Sequence, residues 1–346
     1  MQRDPSSKAQ TTMVSDGRPC PSDFVPRRGL RGGHVQTLAG NFLPRENRLP
    51  SPEERLFAVE QDVQVLCHCH WQAERSGRTT LIIVHGLEGS SESKYVIGTA
   101  NKAWAKGMNV VRMNMRNCGG TEGLTPTLYN SSMSADVGAV VKALIAEDGL
   151  SSIALAGFSM GGNLVLKLAG EWGSEAPAQV RAVTAVSPAI DLGISAATLH
   201  DWQNRIYEYK FLCGLRSRMV RKAALYPERY KAYPLFSIRS LWDFDDQVTA
   251  HYGGFTGADD YYYRAASARV VDKIAVPTLI INSLDDPFIR LSDETRAKIL
   301  ANPNIRFVET QRGGHCAFIE SANGNDGRWA ERKAVEFVSE FSAVTR

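Results

Sequence analysis

Ile153-Ala154-Leu155-Ala156-Gly157-Phe158-Ser159-Met160-Gly161-Gly162-Asn163-Leu164-Val165-Leu166-Lys167-Leu168-Ala169 is the stretch that decides the fold. Its first four residues form a short continuous apolar run, the pattern of a strand buried on both faces. Residues 163–169 read as a helix that ends near Gly170 or Gly173. Between them Ser159 stands in a G-x-S-x-G turn. A serine held in so sharp a turn needs neighbours without a Cβ, so that strand and helix can pack closely while its hydroxyl stands clear. Strand, strained turn and helix together make Ser159 the candidate nucleophile.

The strand–helix rhythm extends outward from this point. Residues 63–71 read as an early strand, and residues 81–84 as a central parallel strand running into His85-Gly86-Leu87-Glu88-Gly89. A helix over 95–106, a strand over 109–113 and an amphipathic helix over 134–146 follow. Beyond the elbow come strands at 180–186, 278–281 and 305–308, with helices at 294–300 and 329–341. Such alternation predicts a mostly parallel sheet flanked by helices. Residues 191–255 break it: they are aromatic and basic, with Arg216, Arg218, Arg221, Lys222, Arg229 and Lys231, and read as a helical lid insertion. The expected division is thus a disordered tail over 1–25, a core over 26–190 and 256–346, and the lid between.

Composition narrows the function. At 346 residues, 43% hydrophobic and 22% charged, the chain has the balance of an ordinary globular protein. A net charge of +3 does not by itself imply a nucleic-acid partner, and no binding motif accompanies the basic lid. No apolar stretch is long enough to span a bilayer, and the polar start lacks the apolar middle of a signal peptide. The six cysteines are scattered without a C-x-x-C pair, which points to a reducing cytoplasm. Cys67-His68-Cys69-His70 tempts a metal reading, but on a strand the cysteines and the histidines point to opposite faces. No metal or other cofactor is expected.

A serine hydroxyl needs a base within reach and an acid to orient that base. In a fold of this kind the chain order is serine, acid, histidine. His315, in Gly313-Gly314-His315-Cys316 after the last strand, is the base expected from position. For the acid, Asp285 is preferred to its neighbour Asp286 because a site-facing aspartate usually comes first after the strand–turn; Asp191 is a distant third. The backbone N–H groups of Leu87 and Met160 are the expected oxyanion hole, with Gly86 allowing close approach.

These residues together resemble the α/β-hydrolase superfamily, and more narrowly its YheT-like (AB hydrolase four) branch. The resemblance rests on Arg31-Gly32-Gly33-His34-Val35-Gln36-Thr37-Leu38, His85-Gly86-Leu87-Glu88-Gly89-Ser90, Gly157-Phe158-Ser159-Met160-Gly161-Gly162-Asn163, Asp285-Asp286-Pro287-Phe288 and Gly314-His315. The tract 252–267 resembles it as well. It implies an α/β-hydrolase fold with a triad of Ser159, Asp285 and His315. The activity it implies is carboxylic ester hydrolysis, on short-chain esters, monoacylglycerols or phospholipids in different members. Branch members often carry Tyr-His-Ser-Gly where this chain has Tyr129-Asn130-Ser131-Ser132, and Arg-Gly-Cys where it has Arg116-Asn117-Cys118. Both departures are expected in the pocket wall. The N-terminal membrane anchor of eukaryotic relatives is not expected from the polar start. The expectation is a serine esterase that works through an acyl-enzyme on a small-molecule ester, with transient lipid contact through the lid. Acyl transfer to an alcohol and a catalytically silent scaffold for protein binding are the alternatives.

Overall fold

The computed structural model describes residues 18–342 apart from 231–234 and 236. Its centre is an eight-stranded sheet in the order β1-β2-β4-β3-β5-β6-β7-β8. The strands are β1 (Glu53–Glu60), β2 (Val63–His70), β3 (Thr80–Val84), β4 (Asn109–Met113), β5 (Ile153–Phe158), β6 (Val180–Val186), β7 (Thr278–Ser283) and β8 (Ile305–Thr310). From β4 to β8 every pairing is parallel; β1 pairs antiparallel with β2, and β2 with β4. The sheet carries α1 (Gly33–Phe42), α2 (Lys94–Ala105), α3 (Ser134–Asp148), α4 (Met160–Trp172), α10 (Asp293–Ala301) and α11 (Trp329–Glu340). Between β6 and β7 lie α5 (Leu192–Leu199), α6 (Arg205–Leu225), α7 (Leu241–Phe244), a π-helical turn (Asp245–Ala250), α8 (His251–Gly253) and α9 (Ala258–Ala265).

The sheet divides the core in two, as alternation along each strand requires. Ile82, Val84 and Leu155 pack to one side with α3 and α4, while Leu81, Ile83, Ala154 and Ala156 face α2 and α11 on the other. β3 and β5 are buried along their whole length, which is why their sequences read as unbroken apolar runs. β2 alternates as expected: Cys67 and Cys69 join the core, and His70 meets the Arg112 guanidinium instead. Among the described residues no cluster of His, Cys, Asp and Glu could hold a metal ion, and no helix is long and apolar enough to cross a membrane.

Three boundaries differ from the sequence expectation. The tail expected over 1–25 is ordered from residue 18, whereas residues 1–17 lie outside the described residues. Cys20 donates its N–H to Phe307 O at 2.6 Å, Phe24 packs against Phe318 and Trp329, and Asp23 accepts from Trp329 Nε1 at 2.8 Å. Second, the helical insertion does not stop at 255: among the described residues no strand forms between β6 and β7, and α9 packs on α5 and the π-helical turn. Third, β1 was not foreseen; of its eight residues only Phe57 is buried, too little to make a strand pattern.

The turn after β4 is fastened to α3 by a buried ion pair. Arg116 Nε and Nη2 each donate to the Asp136 carboxylate at 2.6 Å, and Nη1 reaches Glu60 at 3.0 Å. Asn117, where relatives often have glycine, has a φ of 62°, in the left-handed region that asparagine enters more readily than most residues. It lines neither of the two cavities that Ser159 borders, so this departure belongs to the turn and not to a pocket wall. Removing one partner of a buried pair strands the other charge. Asp136→Asn is expected to lower unfolding stability by roughly 3 kcal/mol in denaturant titration, the low end of the range because Glu60 remains.

Candidate active site

Ser159 sits where β5 turns into α4, at φ 54° and ψ −120°, a strained conformation for a residue with a side chain. Three close approaches surround it. A Cβ on Gly161 would overlap the carbonyl oxygens of Val84 and His85, and one on Gly157 would overlap the Gly161 carbonyl. A Cβ on Gly86 would lie 2.9 Å from Ser159 Cβ. Ser159 N–H donates to Val186 O at 3.0 Å, tying the elbow to the end of β6.

The loop after β3 is fixed by a histidine whose role sequence reasoning did not identify. His85 is fully buried; its Nε2 accepts from Met115 N–H at 3.1 Å, so Nδ1 carries the proton and donates to Gly86 O at 2.8 Å. Burial lowers its pKa to about 4, keeping the ring neutral. Tyr95 Oη accepts the Gly86 N–H at 2.9 Å, and Gly89 N–H closes the turn on Gly86 O at 3.0 Å. Leu87 and Met160 line the cavity beside Ser159, and neither backbone N–H has an acceptor among the described residues. Two free amides beside a serine have the character of an oxyanion site.

His315 and its acid come from the loops after β8 and β7. His315 Nδ1 is 2.9 Å from Asp286 Oδ2, and Asp286 is 1% exposed. Its other oxygen accepts from Phe288 N–H at 3.1 Å and Ile289 N–H at 3.0 Å, which fixes the carboxylate. The expected partner was Asp285, and the geometry corrects it. The Asp285 carboxylate turns to the loop backbone, accepting the Gly314 N–H at 2.9 Å and the Ser283 hydroxyl. The turn, with Asp286 N–H on Ser283 O at 3.2 Å, delivers the second aspartate to the imidazole. Asp191 is elsewhere, accepting from Ser292 N–H and Thr295 Oγ1.

The N-terminal Gly-His-Val-Gln-Thr segment proves to be the brace of this histidine. Thr37 Oγ1 donates to Gly33 O at 2.7 Å and accepts the His315 N–H at 2.8 Å. Gln36, fully buried, takes Ile319 N–H at 2.7 Å and donates to Ile319 O at 3.1 Å. Gly33 packs on the Asp285 backbone with no room for a Cβ. His315 Nε2 faces Cys316 Sγ at 3.7 Å and opens to the groove that Ser159 also lines. Burial alone would disfavour the imidazolium, but the Cys316 sulfur and then the Asp286 carboxylate outweigh it and hold His315 above the usual histidine range.

Two spaces meet at Ser159. One is a cavity of about 110 Å³ lined by Leu87, Leu128, Tyr129, Met160, Leu199, Leu215, Met219, Phe244 and Phe288, among others. Asn130 and Ser131, at the other departure from the branch pattern, also line it, as expected of a pocket wall. The second is a groove of about 460 Å³, lined by His315, Cys316, Tyr95, Arg45, Lys94 and Arg328, among others. The insertion's basic residues are largely engaged internally. Arg218 pairs with Glu88 at 3.0 Å, Arg221 with Glu122 at 2.7 Å, and Lys222 donates to the carbonyls of Glu122 and Thr125. Lys231 lies outside the described residues.

A sharp serine elbow at the end of a central parallel strand, with a late histidine–aspartate pair, defines a hydrolase-type fold. The chain belongs to the alpha/beta hydrolase fold family, whose model matches residues 79–322. Within that family it belongs to the YheT-like branch: YheT of Escherichia coli (strain K12), named provisionally as an esterase, is 29% identical over 92% of this chain and 94% of its own length. Phospholipase ABHD3 of Mus musculus is 27% identical over 78% of this chain and 65% of its own. Medium-chain fatty acid ethyl ester synthase/esterase 2 of Saccharomyces cerevisiae is 28% identical over 76% of this chain and 62% of its own. The Pyrococcus furiosus esterase Pf2001 matches the fold with a TM-score of 0.54 at 16% identity, covering 86% of this chain and 98% of that one.

Asp286→Asn and Asp285→Asn separate the two aspartates. A neutral imidazole is the form that accepts a proton, so hydrolysis dependent on His315 should rise with pH towards the alkaline side. Asp286→Asn removes a charge that favours the imidazolium, and should shift this rise to lower pH while lowering kcat by about ten-thousandfold. Asp285→Asn should cost less than about tenfold. Profiles of kcat and kcat/KM against pH check both.

Proposed function

We propose that the chain is a serine esterase acting through an acyl-enzyme, with Ser159 as nucleophile, His315 as base and Asp286 as the acid that orients it. The observation that carries this reading is the Asp286–His315 hydrogen bond at 2.9 Å on the groove that Ser159 lines from its strained elbow. His315 takes the serine proton as Ser159 attacks the ester carbonyl, and Asp286 stabilises the imidazolium that results. The Leu87 and Met160 amides then receive the oxyanion. His315 returns the proton to the departing alcohol, and water repeats the sequence to release the acid.

The apolar cavity suits an acyl chain, because its walls are aliphatic and aromatic side chains. Its length sets the substrate class, which we place among short- to medium-chain acyl esters or lipid-like esters. Insertion residues from α5, α6 and α7 form most of the far wall, so the insertion serves as the lid that sizes the pocket. The named activities of the relatives, phospholipase and ester synthase/esterase, fall on this chemistry. The second of those names raises acyl transfer, and product analysis in added ethanol measures how the acyl-enzyme divides between water and alcohol. Six free thiols fit a reducing cytoplasm.

Hydrolysis of p-nitrophenyl esters from acetate to palmitate tests the reading. Ser159→Ala should abolish turnover at every chain length with its unfolding curve unchanged; wild-type rates in that variant would overturn the mechanism. Leu215→Trp, which fills the cavity from α6, should lower kcat/KM for long acyl chains by more than about tenfold and change acetate by less than about threefold.

A further inference from the structure

The cavity and the groove both reach Ser159, but His315 lines only the groove. The base must return its proton to the leaving oxygen, so the alcohol portion of the ester lies on the groove side and the acyl chain in the apolar cavity. The groove is strongly charged, and its carboxylates are already paired. Glu88 bonds Arg218 at 3.0 Å, Glu92 bonds Arg112 at 2.6 Å, and Glu331 bonds Lys102 at 2.9 Å and also Arg45.

Arg328 is different. It is only 7% exposed, it lines the groove, and its guanidinium has neither a carboxylate within 4.0 Å nor any hydrogen-bond acceptor among the described residues. Asp326 and Glu331 lie close enough to favour its charge, but Arg45 and Lys102 engage both of those carboxylates. Burial, then the nearby Arg45, holds Arg328 below the ordinary arginine range. Lys94, at the N-terminus of α2 and also lining the groove, donates to Asn41 O and to no carboxylate among the described residues. The Arg328 guanidinium nitrogens are open to the groove and hold no protein acceptor among the described residues, and the planar fork matches an oxyanion with two parallel hydrogen bonds.

We propose that Arg328, supported by Lys94, binds an anionic group, such as a phosphate, carried on the alcohol portion of the ester. The proposal rests on the esterase reading for its placement, while the anion site itself can be measured without turnover.

The test compares 1-octanoylglycerol with 1-octanoylglycerol 3-phosphate. The wild type should favour the phosphate-bearing ester by at least about tenfold in kcat/KM, mainly through KM. Arg328→Gln should erase that preference with the neutral ester changed by less than about threefold, and Arg328→Lys should retain part of it. Calorimetric titration of the Ser159→Ala protein with both esters, and with inorganic phosphate, reads the site directly. Tighter binding of the phosphate-bearing ester than of either other ligand is expected. Equal affinity for the two esters, or a preference unchanged in Arg328→Gln, overturns the proposal and leaves the esterase reading intact. Inorganic phosphate binding as tightly as the phosphate-bearing ester also overturns it, because the site would then serve a free anion. Arg328-dependent binding without turnover of either ester supports the anion site and sinks the esterase reading instead.

Discussion

The structure turns on a crossing of backbones that leaves no room for side chains. The N-terminus of α4 passes so close to the end of β3 that Gly161 touches the Val84 and His85 carbonyls, while Gly157 faces Gly161 from β5. That contact holds Ser159 at φ 54°, a conformation an isolated chain would abandon. It also sets the loop after β3 beside the serine, with Leu87 and Met160 lining the same cavity. Sheet order follows the same logic: β3 and β5 are hydrogen-bonded neighbours near the middle of the sheet, where both faces are covered and the strain can be resisted.

His315 depends on a second constraint, supplied from far away in sequence. Its loop is hydrogen-bonded to α1 through Gln36 and Thr37, and a Cβ on Gly314 would overlap the Gly33 carbonyl. A loop histidine has many rotamers available, and fixing it in one costs conformational entropy. Thr37 and Asp286 grip it from backbone and ring. The N-terminal motif is thus part of the site's support, though none of its residues needs to touch the reacting carbonyl.

Much of this could be read from residues alone, for physical reasons. β3 and β5 are buried on both faces and had to be apolar runs; Ser159, with Gly157 and Gly161 two residues to either side, could hardly be anything but a tight elbow. His315 followed from its place after the last strand. The acid did not, because Asp285 and Asp286 differ by one residue and their roles are set by the dihedral angles of a turn, to which composition is blind. β1 escaped because an edge strand with one buried residue leaves no periodic signal. Residues 18–25 looked like a tail because their anchors, Phe307, Phe318 and Trp329, lie about 300 residues away. Arg328 carried no signal either: its significance lies in the carboxylates that its neighbours have already taken.

The proposed chemistry stands on Ser159 being a nucleophile activated by His315 and Asp286. Incubation with a fluorophosphonate followed by intact-mass and peptide mass spectrometry measures that directly, independent of any choice of ester. A single adduct is expected on the peptide bearing Ser159, formed quickly by the wild type, far more slowly by Asp286→Asn, and negligibly by His315→Ala. No adduct on the folded wild type, adduct on another residue, or equal labelling rates in all three proteins would contradict it.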